Sequence, residues 1–392
     1  MKVIWISPEC PYPANTGGRI GIMKRLEYFS QNNDIYFFCV IDHEDEYKYR
    51  FELSKYCKEV HFYKRNKGTA LLKLVKGPFV CVSRWITTMR NDINVCFEKE
   101  MIDWVIVDFP QMLGNISKKI FDSNKLILNQ HNVEYVTLHN LANSISNPLR
   151  RALYNIEAQR LYQLEKKYYR NLYIKLFTFV SIEDKIFFER KWGRVNTLLV
   201  PVGAEVYKYE ENRDNRNIIS YFGKMSYPAN AEAAIWFSNK VFPIIQKEIP
   251  QCRFYIVGKD PTKDLLELSE NNSNVVVTGT VDNIEDYYKQ TDLVVVPLSY
   301  GGGVKVKVLE ALGYGKLVVS TVKGIEGTTF RNQKELLTAE SAEEFAQICI
   351  NALQNISCYE EIRRCGYENI RKNFTWKAVV DKFEQELNHL KL

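Results

Sequence analysis

Pro297-Leu298-Ser299-Tyr300-Gly301-Gly302-Gly303-Val304-Lys305-Val306-Lys307-Val308-Leu309-Glu310-Ala311-Leu312-Gly313-Tyr314-Gly315 is the stretch on which the fold turns. It follows Leu293–Pro297, an apolar run that reads as a strand covered on both faces. A helix is expected from near Val304, and Leu317–Ser320 reads as the next strand. Strand, glycine loop, helix and strand make one unit of a parallel sheet. Three successive glycines pack poorly but form a good nest of N–H groups at a helix start. Lys305 and Lys307 place two positive charges in the expected first turn, where the helix dipole disfavours cations. That placement destabilises the helix unless an anion binds there. Glu310, about two turns in, is placed to accept hydrogen bonds from hydroxyl groups. The plainer alternative is a glycine linker with solvated lysines.

Outward from this stretch the same alternation runs through both halves of the chain. In the first half Lys2–Ser7, Ile35–Ile41, Trp104–Asp108, Leu126–Asn129, Leu176–Ser181 and Thr197–Pro201 read as strands. Between them fall a helix over Arg19–Asn32, an amphipathic segment at Asp92–Met101 and a long charged helix over Leu149–Tyr173. In the second half the strands are Ile218–Gly223, Arg253–Gly258, Val275–Thr278, Leu293–Pro297 and Leu317–Ser320. A helix is predicted over Asn230–Glu248, with Trp236, Phe237, Val241, Ile244 and Ile245 as its apolar positions and a break at Pro243. Ser341–Asn355 is a helix with an acidic first turn. The joint between halves falls near Pro201–Glu211, where the sequence turns polar. The pattern predicts an α/β protein of two Rossmann-like domains facing each other across a cleft: residues 1–200, residues 201–375, and a helix over 376–392 packing back on the first domain.

Composition narrows the class. A chain of 392 residues exceeds one ordinary core, and 46% hydrophobic with 26% charged residues is globular. No apolar run is long enough to span a bilayer, and the first residues read as a strand rather than a signal peptide, so the expected compartment is the cytoplasm. Nine cysteines lack the spacing of a zinc or redox site and read as free thiols. The net charge of +6 is the sum of +9 over residues 1–200 and −3 over residues 201–392. From Val60 to Asn91 there is no acid, while Lys64, Arg65, Lys67, Lys73, Lys76, Arg84 and Arg90 alternate with Phe62, Leu71, Leu72, Phe79 and Trp85. That stretch is either a solvated basic face or a surface for anionic lipid or an anionic acceptor. No nucleic-acid partner is expected.

A second loop, Pro13-Ala14-Asn15-Thr16-Gly17-Gly18-Arg19, follows the first strand and offers backbone N–H groups to an anion. It lacks the Gly-x-Gly-x-x-Gly spacing of dinucleotide sites, which counts against a dehydrogenase. The only acidic cluster able to imitate a metal-binding Asp-x-Asp is Asp42-His43-Glu44-Asp45-Glu46, and a solvated turn is its ordinary reading.

The segment from Gly301 to Gly315, continued through Lys316–Thr321 to Gly324-Ile325-Glu326-Gly327, resembles the donor-binding signature of glycosyltransferase family 4. More narrowly it resembles the branch with three glycines before a basic residue and Leu-Glu-Ala. In matching order stand the opening Ser-Pro to Gly-Gly-Arg, His131-Asn132-Val133-Glu134, Val180-Ser181 to Asp184, Pro201-Val202-Gly203, Tyr221-Phe222-Gly223 and Phe374-Thr375-Trp376. The resemblance implies the GT-B fold and retaining sugar transfer, without metal, from a nucleotide diphosphate sugar to a glycan or lipid-linked acceptor. It implies that Glu310 holds ribose hydroxyls and that His131 touches the donor sugar, with Glu134 close behind. Gly301, Gly302, Gly303, Lys305 and Lys307 would hold the diphosphate with Gly17, Gly18 and Arg19, while Gly223, Lys224, Gly258, Val281 and Val304 complete the donor pocket. The catalytic set implied is His131, Lys307 and Glu310.

Two departures stand out. Where many members carry Glu, seven residues, Glu, the first acid is here Gly302. Where many carry Arg and Lys after the first strand of the second domain, this chain has Lys224 and then Ala229. Lys305 and Lys307 are expected to replace the displaced charge. Two other readings stay open: a sugar-nucleotide epimerase of the same fold, and, because of the missing acid, a non-catalytic subunit that binds nucleotide sugar or merely a partner enzyme. Glu157 and Glu165, on the long charged helix, are expected to be solvated or paired with Arg160 and Lys166.

Overall fold

The computed structural model describes residues 1–65, 67–170, 174–193, 195–210 and 215–391. The chain divides into two compact units, Met1–Pro201 with Val380–Leu392, and Val202–Val379. Each is built on one parallel sheet.

The first unit holds seven strands, β1 (Lys2–Ser7), β2 (Asp34–Ile41), β3 (Glu59–Lys64), β4 (Trp104–Asp108), β5 (Leu126–Gln130), β6 (Leu176–Phe179) and β7 (Thr197–Leu199), in the order β3-β2-β1-β4-β5-β6-β7. β1, β4 and β5 are apolar and buried almost throughout because helices cover both faces. The edge strand β3 was hidden in the basic stretch: Val60 and Phe62 face inward while Glu59 and Lys64 face water. The expected helix at Leu149–Tyr173 spans Pro148–Arg170, and 171–173 lie outside the described residues. Glu165 corrects the reading of that helix. It is 1% exposed, and its Oε1 finds no hydrogen-bond partner among the described residues.

The second unit holds β8 (Ile218–Phe222), β9 (Arg253–Val257), β10 (Val275–Gly279), β11 (Leu293–Val296), β12 (Leu317–Ser320) and β13 (Leu337–Thr338), in the order β10-β9-β8-β11-β12-β13. β13 is too short to announce itself in the sequence. The helix predicted over Asn230–Glu248 is three pieces: Pro228–Trp236, a π turn Phe237–Val241, and Phe242–Glu248. The wide turn lies just before Pro243, whose ring cannot sit over a normal preceding turn. Phe237, Val241 and Ile245 are buried, but Ile244 is exposed because the π turn rotates the face that follows. The helix after the glycine loop begins at Val306, two residues later than expected. Seven of the nine cysteines are buried and all are free, Cys358 being exposed and Cys365 half-buried. Among the described residues no helix is long and apolar enough to cross a membrane.

Candidate functional site

In both sheets the strand order reverses once, between β1 and β4 and between β8 and β11. Ligands of parallel sheets bind beyond the carboxyl ends of strands at such a reversal. In the second unit the ladder between β8 and β11 pairs only Ile219 with Leu293 and Ser220 with Val294. The last two residues of each strand are left unpaired with the other, where a sheet of this kind parts to form a crevice.

The glycine loop follows β11 into this crevice. Gly301 and Gly303 take positive φ, 114° and 73°, a region closed to most side chains. Lys305 turns inward and donates to the carbonyls of Gly301, Gly302 and Gly303 at 3.1, 3.2 and 2.6 Å. Its ammonium therefore braces the loop from behind. The three glycine N–H groups donate to no group among the described residues, and a Cβ on Gly302 or Gly303 would meet nothing within 4 Å. Three open amides in a braced, side-chain-free loop form a cradle for an anion. Val304 packs against Gly327, whose Cβ would lie 3.0 Å from Val304 Cγ2.

Lys307 reaches back over the crevice. Its Nζ donates to Tyr221 Oη at 2.9 Å and Asn230 Oδ1 at 2.8 Å, and sits 4.1 Å from the Tyr221 ring centre. Asn230 also accepts from Tyr221 Oη at 3.0 Å and donates to the Lys224 carbonyl at 2.9 Å. Tyr221 and Asn230 thus orient the ammonium, a role their side chains did not disclose in sequence. Burial lowers the Lys307 pKa to about 7, the Glu310 charge opposing and Lys305 assisting. Among the described residues no carboxylate lies within ion-pair distance of it, so an arriving phosphate would add counter-charge that Glu310 supplies only from farther away. Ala229, where a second cation was missed, lies beside Gly301. Gly223 lies beside the Lys307 ammonium, which a Cβ there would approach to 2.9 Å.

Glu310 faces the same region. Burial raises its pKa and the Lys307 charge lowers it. Tyr288, missed by the sequence reading, is sandwiched between Phe222 and Tyr314 at 3.9 and 4.1 Å, and its phenolic oxygen has no described partner. Gly258, at the end of β9, takes φ 151°, and a Cβ there would fall 1.7 Å from the Gly223 carbonyl oxygen. Lys224 points to Asp260 at 3.8 Å, exposed. Val281 is half-buried against the core, which leaves its loop to offer backbone groups.

In the first unit, Asp108 ends β4 fully buried and accepts from Trp5 Nε1 at 2.7 Å and Asn129 Nδ2 at 2.9 Å. His131, just past β5, stacks on Phe109 at 4.3 Å, and its Nε2 lies 3.6 Å from Asp108 Oδ1 without a hydrogen-bond partner among the described residues. Phe109 holds φ 66°, strained for a bulky residue, which turns the chain under the imidazole. Glu134 accepts from Gln111 Nε2 at 3.2 Å. Burial pushes its carboxyl up to about 7 against the pull of Asn132, Arg84 and Gln111. Gly17 and Gly18 open the helix Gly17–Phe29, capped by Thr16, with no neighbour within 4 Å of a Cβ at either. The Arg19 guanidinium pairs with Glu9 at 2.9 Å. In the acidic cluster Asp42 pairs with Lys67 at 3.2 Å, Glu44 with Lys64 at 2.6 Å, and Glu46 accepts from the Asp42 and His43 amides.

Residues 216–355, within the second unit, match the family described as glycosyl transferases group 1. The match lies wholly in the second unit and takes in its glycine loop and the helix that follows. An uncharacterized 44.6 kDa protein in the cps region of Klebsiella pneumoniae is 26% identical over 397 residues, covering 98% of this chain and 99% of its own. Sucrose-phosphate synthase of Thermosynechococcus elongatus matches over 100% of this chain and 99% of its own, with TM-score 0.62 and 15% identity. HepE of Anabaena, solved in complex with UDP and glucose, matches over 99% and 100%, with TM-score 0.60 and 13% identity. At those identities the structures carry the fold alone, and it is GT-B. The matched segment holds the glycine cradle, Lys307 and Glu310 together, while His131 and Glu134 belong to the first unit.

Proposed function

We propose that this chain is a retaining, metal-independent glycosyltransferase. It would move a sugar from a nucleotide diphosphate sugar to a glycan or lipid-linked acceptor in surface-polysaccharide assembly, at the cytoplasmic face of the cell membrane. The observation that carries the reading is the pairing of three glycine amides that bond nothing among the described residues with an ammonium oriented by Tyr221 and Asn230 at the β8/β11 reversal. Departure of a sugar puts negative charge on the leaving diphosphate. The Gly301–Gly303 amides and Lys307 are set in advance to receive that charge. Glu310 would take the ribose hydroxyls, His131 the donor sugar, and the backbone around Gly258 and Val281 the base, with Gly17, Gly18, Lys224 and Val304 completing the pocket. Lys305 would act by bracing the cradle. In retaining transfer the acceptor oxygen bonds to the anomeric carbon as the carbon–phosphate oxygen bond breaks. The departing phosphate takes the acceptor's proton, so no side-chain base is assigned. The UDP and glucose bound to HepE and the cps-region relative support donor type and pathway. Peripheral contact with anionic membrane is assigned to residues 60–91.

A thermal-shift screen against UDP, GDP, ADP and TDP tests the donor site, since a ligand of the native state raises the melting temperature by mass action. One nucleotide should stabilise the native chain and fail to stabilise Lys307→Met. Turnover should require an added acceptor and vanish in Glu310→Gln. Donor conversion without acceptor would instead mark an epimerase, and unchanged turnover in both variants would mark a non-catalytic subunit.

A further inference from the structure

The first unit contains a cavity of about 260 Å³ that the donor chemistry does not use. Lys73, Lys76, Trp85, Thr87, Arg90 and Asn115 line it, and none of its described lining residues is acidic. Lys73 Nζ donates to the Trp85 carbonyl at 3.0 Å and Arg90 to the Gly114 carbonyl at 2.6 Å, so both cations are anchored at the wall. The Lys76 backbone N–H donates to the Lys73 carbonyl at 2.8 Å, while its ammonium makes no hydrogen bond or ion pair among the described residues. Thr87 opens the helix Thr87–Lys99, whose N-cap, Ile86, provides no side-chain cap. Three positive side chains and an uncapped helix start converge with no acid among the described lining residues, an arrangement that favours an entering anion.

Two further features narrow the anion. Leu72 and Val75, flanking Lys73 and adjacent to Lys76, are 85% and 98% exposed. Apolar side chains held in water beside a basic pocket suit an amphiphile: phosphate in the cavity, hydrocarbon over the rim. The cavity is also wired to the first unit's half-site. Trp85 Nε1 donates to the Gln111 carbonyl at 3.0 Å, and the Gln111 side chain holds Glu134, three residues from His131. Trp85 itself lies flat on Gly114, where any Cβ would fall 2.1 Å from the ring.

We propose that this cavity binds the phosphate of an anionic lipid, and that this lipid is the acceptor. The second half of that statement rests on the transferase reading; the first does not, and it is tested without donor. The full chain is floated with vesicles of phosphatidylcholine alone and of three parts phosphatidylcholine to one of phosphatidic acid. The native chain should bind only the acidic vesicles. Lys76→Glu should lose about fivefold or more of that binding, the worth of one basic residue near an anionic surface. Val75→Asp should lose vesicle binding yet keep inorganic phosphate as a ligand. Both substitutions lie on exposed side chains, and their melting temperatures should match the native one. Equal binding to neutral vesicles, or unchanged binding by Lys76→Glu, overturns the proposal. Phosphate binding without any vesicle binding assigns the cavity to a soluble phosphate and overturns the lipid. A missing nucleotide response with vesicle binding intact fails the donor site alone.

Discussion

Lys307 concentrates the chemistry at the residue scale. Drawing a charged group out of water is costly, and its pKa near 7 reflects that desolvation, which the Glu310 charge offsets only in part. A bound diphosphate favours the ammonium. Below pH 7 the charged form is already present, and above it binding must draw a proton from solvent. Nucleotide affinity should therefore fall as pH rises through 7, approaching about tenfold per pH unit, with proton uptake at pH 8 seen by calorimetry in buffers of different ionisation enthalpy. A flat profile from pH 6 to 9 would contradict the role. Lys307→Met should weaken nucleotide binding by about 10- to 100-fold, the range of a hydrogen bond to a charged group. The same variant should unfold no earlier than the native protein, because methionine removes a partly desolvated charge and Tyr221 still bonds Asn230. A clear drop in its melting temperature would make the lysine structural.

Elements decide where these residues meet. Tyr221 and Asn230 lie 86 and 77 residues from Lys307, and only the adjacency of β8 and β11 brings them together. Sequence showed the glycine cluster, since three glycines in a row have few structural uses. It did not show that Lys305 turns back on its own loop, which depends on the positive φ angles of Gly301 and Gly303. It also misread Glu165, because a charged, weakly amphipathic helix hides which face is buried. The approach of β8 and β9 ends gives a direct test. Gly258→Ala would drive a methyl into the Gly223 carbonyl and should cost about 3 kcal/mol or more in urea unfolding. Gly279→Ala has positive φ but open space, and should cost only about 1–2 kcal/mol. Equal losses would mean the strand ends yield easily.

For the whole molecule the C-terminal helix Trp376–Lys391 is the informative piece. Trp376 packs on Gly203, while from Val380 onward the chain groups with the first unit. There Val380, Phe383 and Leu387 are buried, Glu384 accepts from Asn33, and Lys391 pairs with Asp103 at 2.6 Å. Each of the three apolar side chains is worth about 1.5–3 kcal/mol of burial. Deleting residues 380–392 should therefore lower the unfolding temperature of the first unit by calorimetry, while the nucleotide-induced shift of the second persists. Full stability of the truncated chain would show that these contacts contribute little.

The amino-acid sequence by itself determined two parallel sheets and the glycine loop after β11, because apolar runs, polar breaks and glycine clusters are local signals. It did not contain the strand order, the π turn before Pro243, the inward Lys305, the buried state of Glu165 or the raised carboxyl of Glu134. Those follow from which surfaces meet when the sheets assemble. The charge on a side chain is written in the chain, but its burial, orientation and partners are set by residues far away in it.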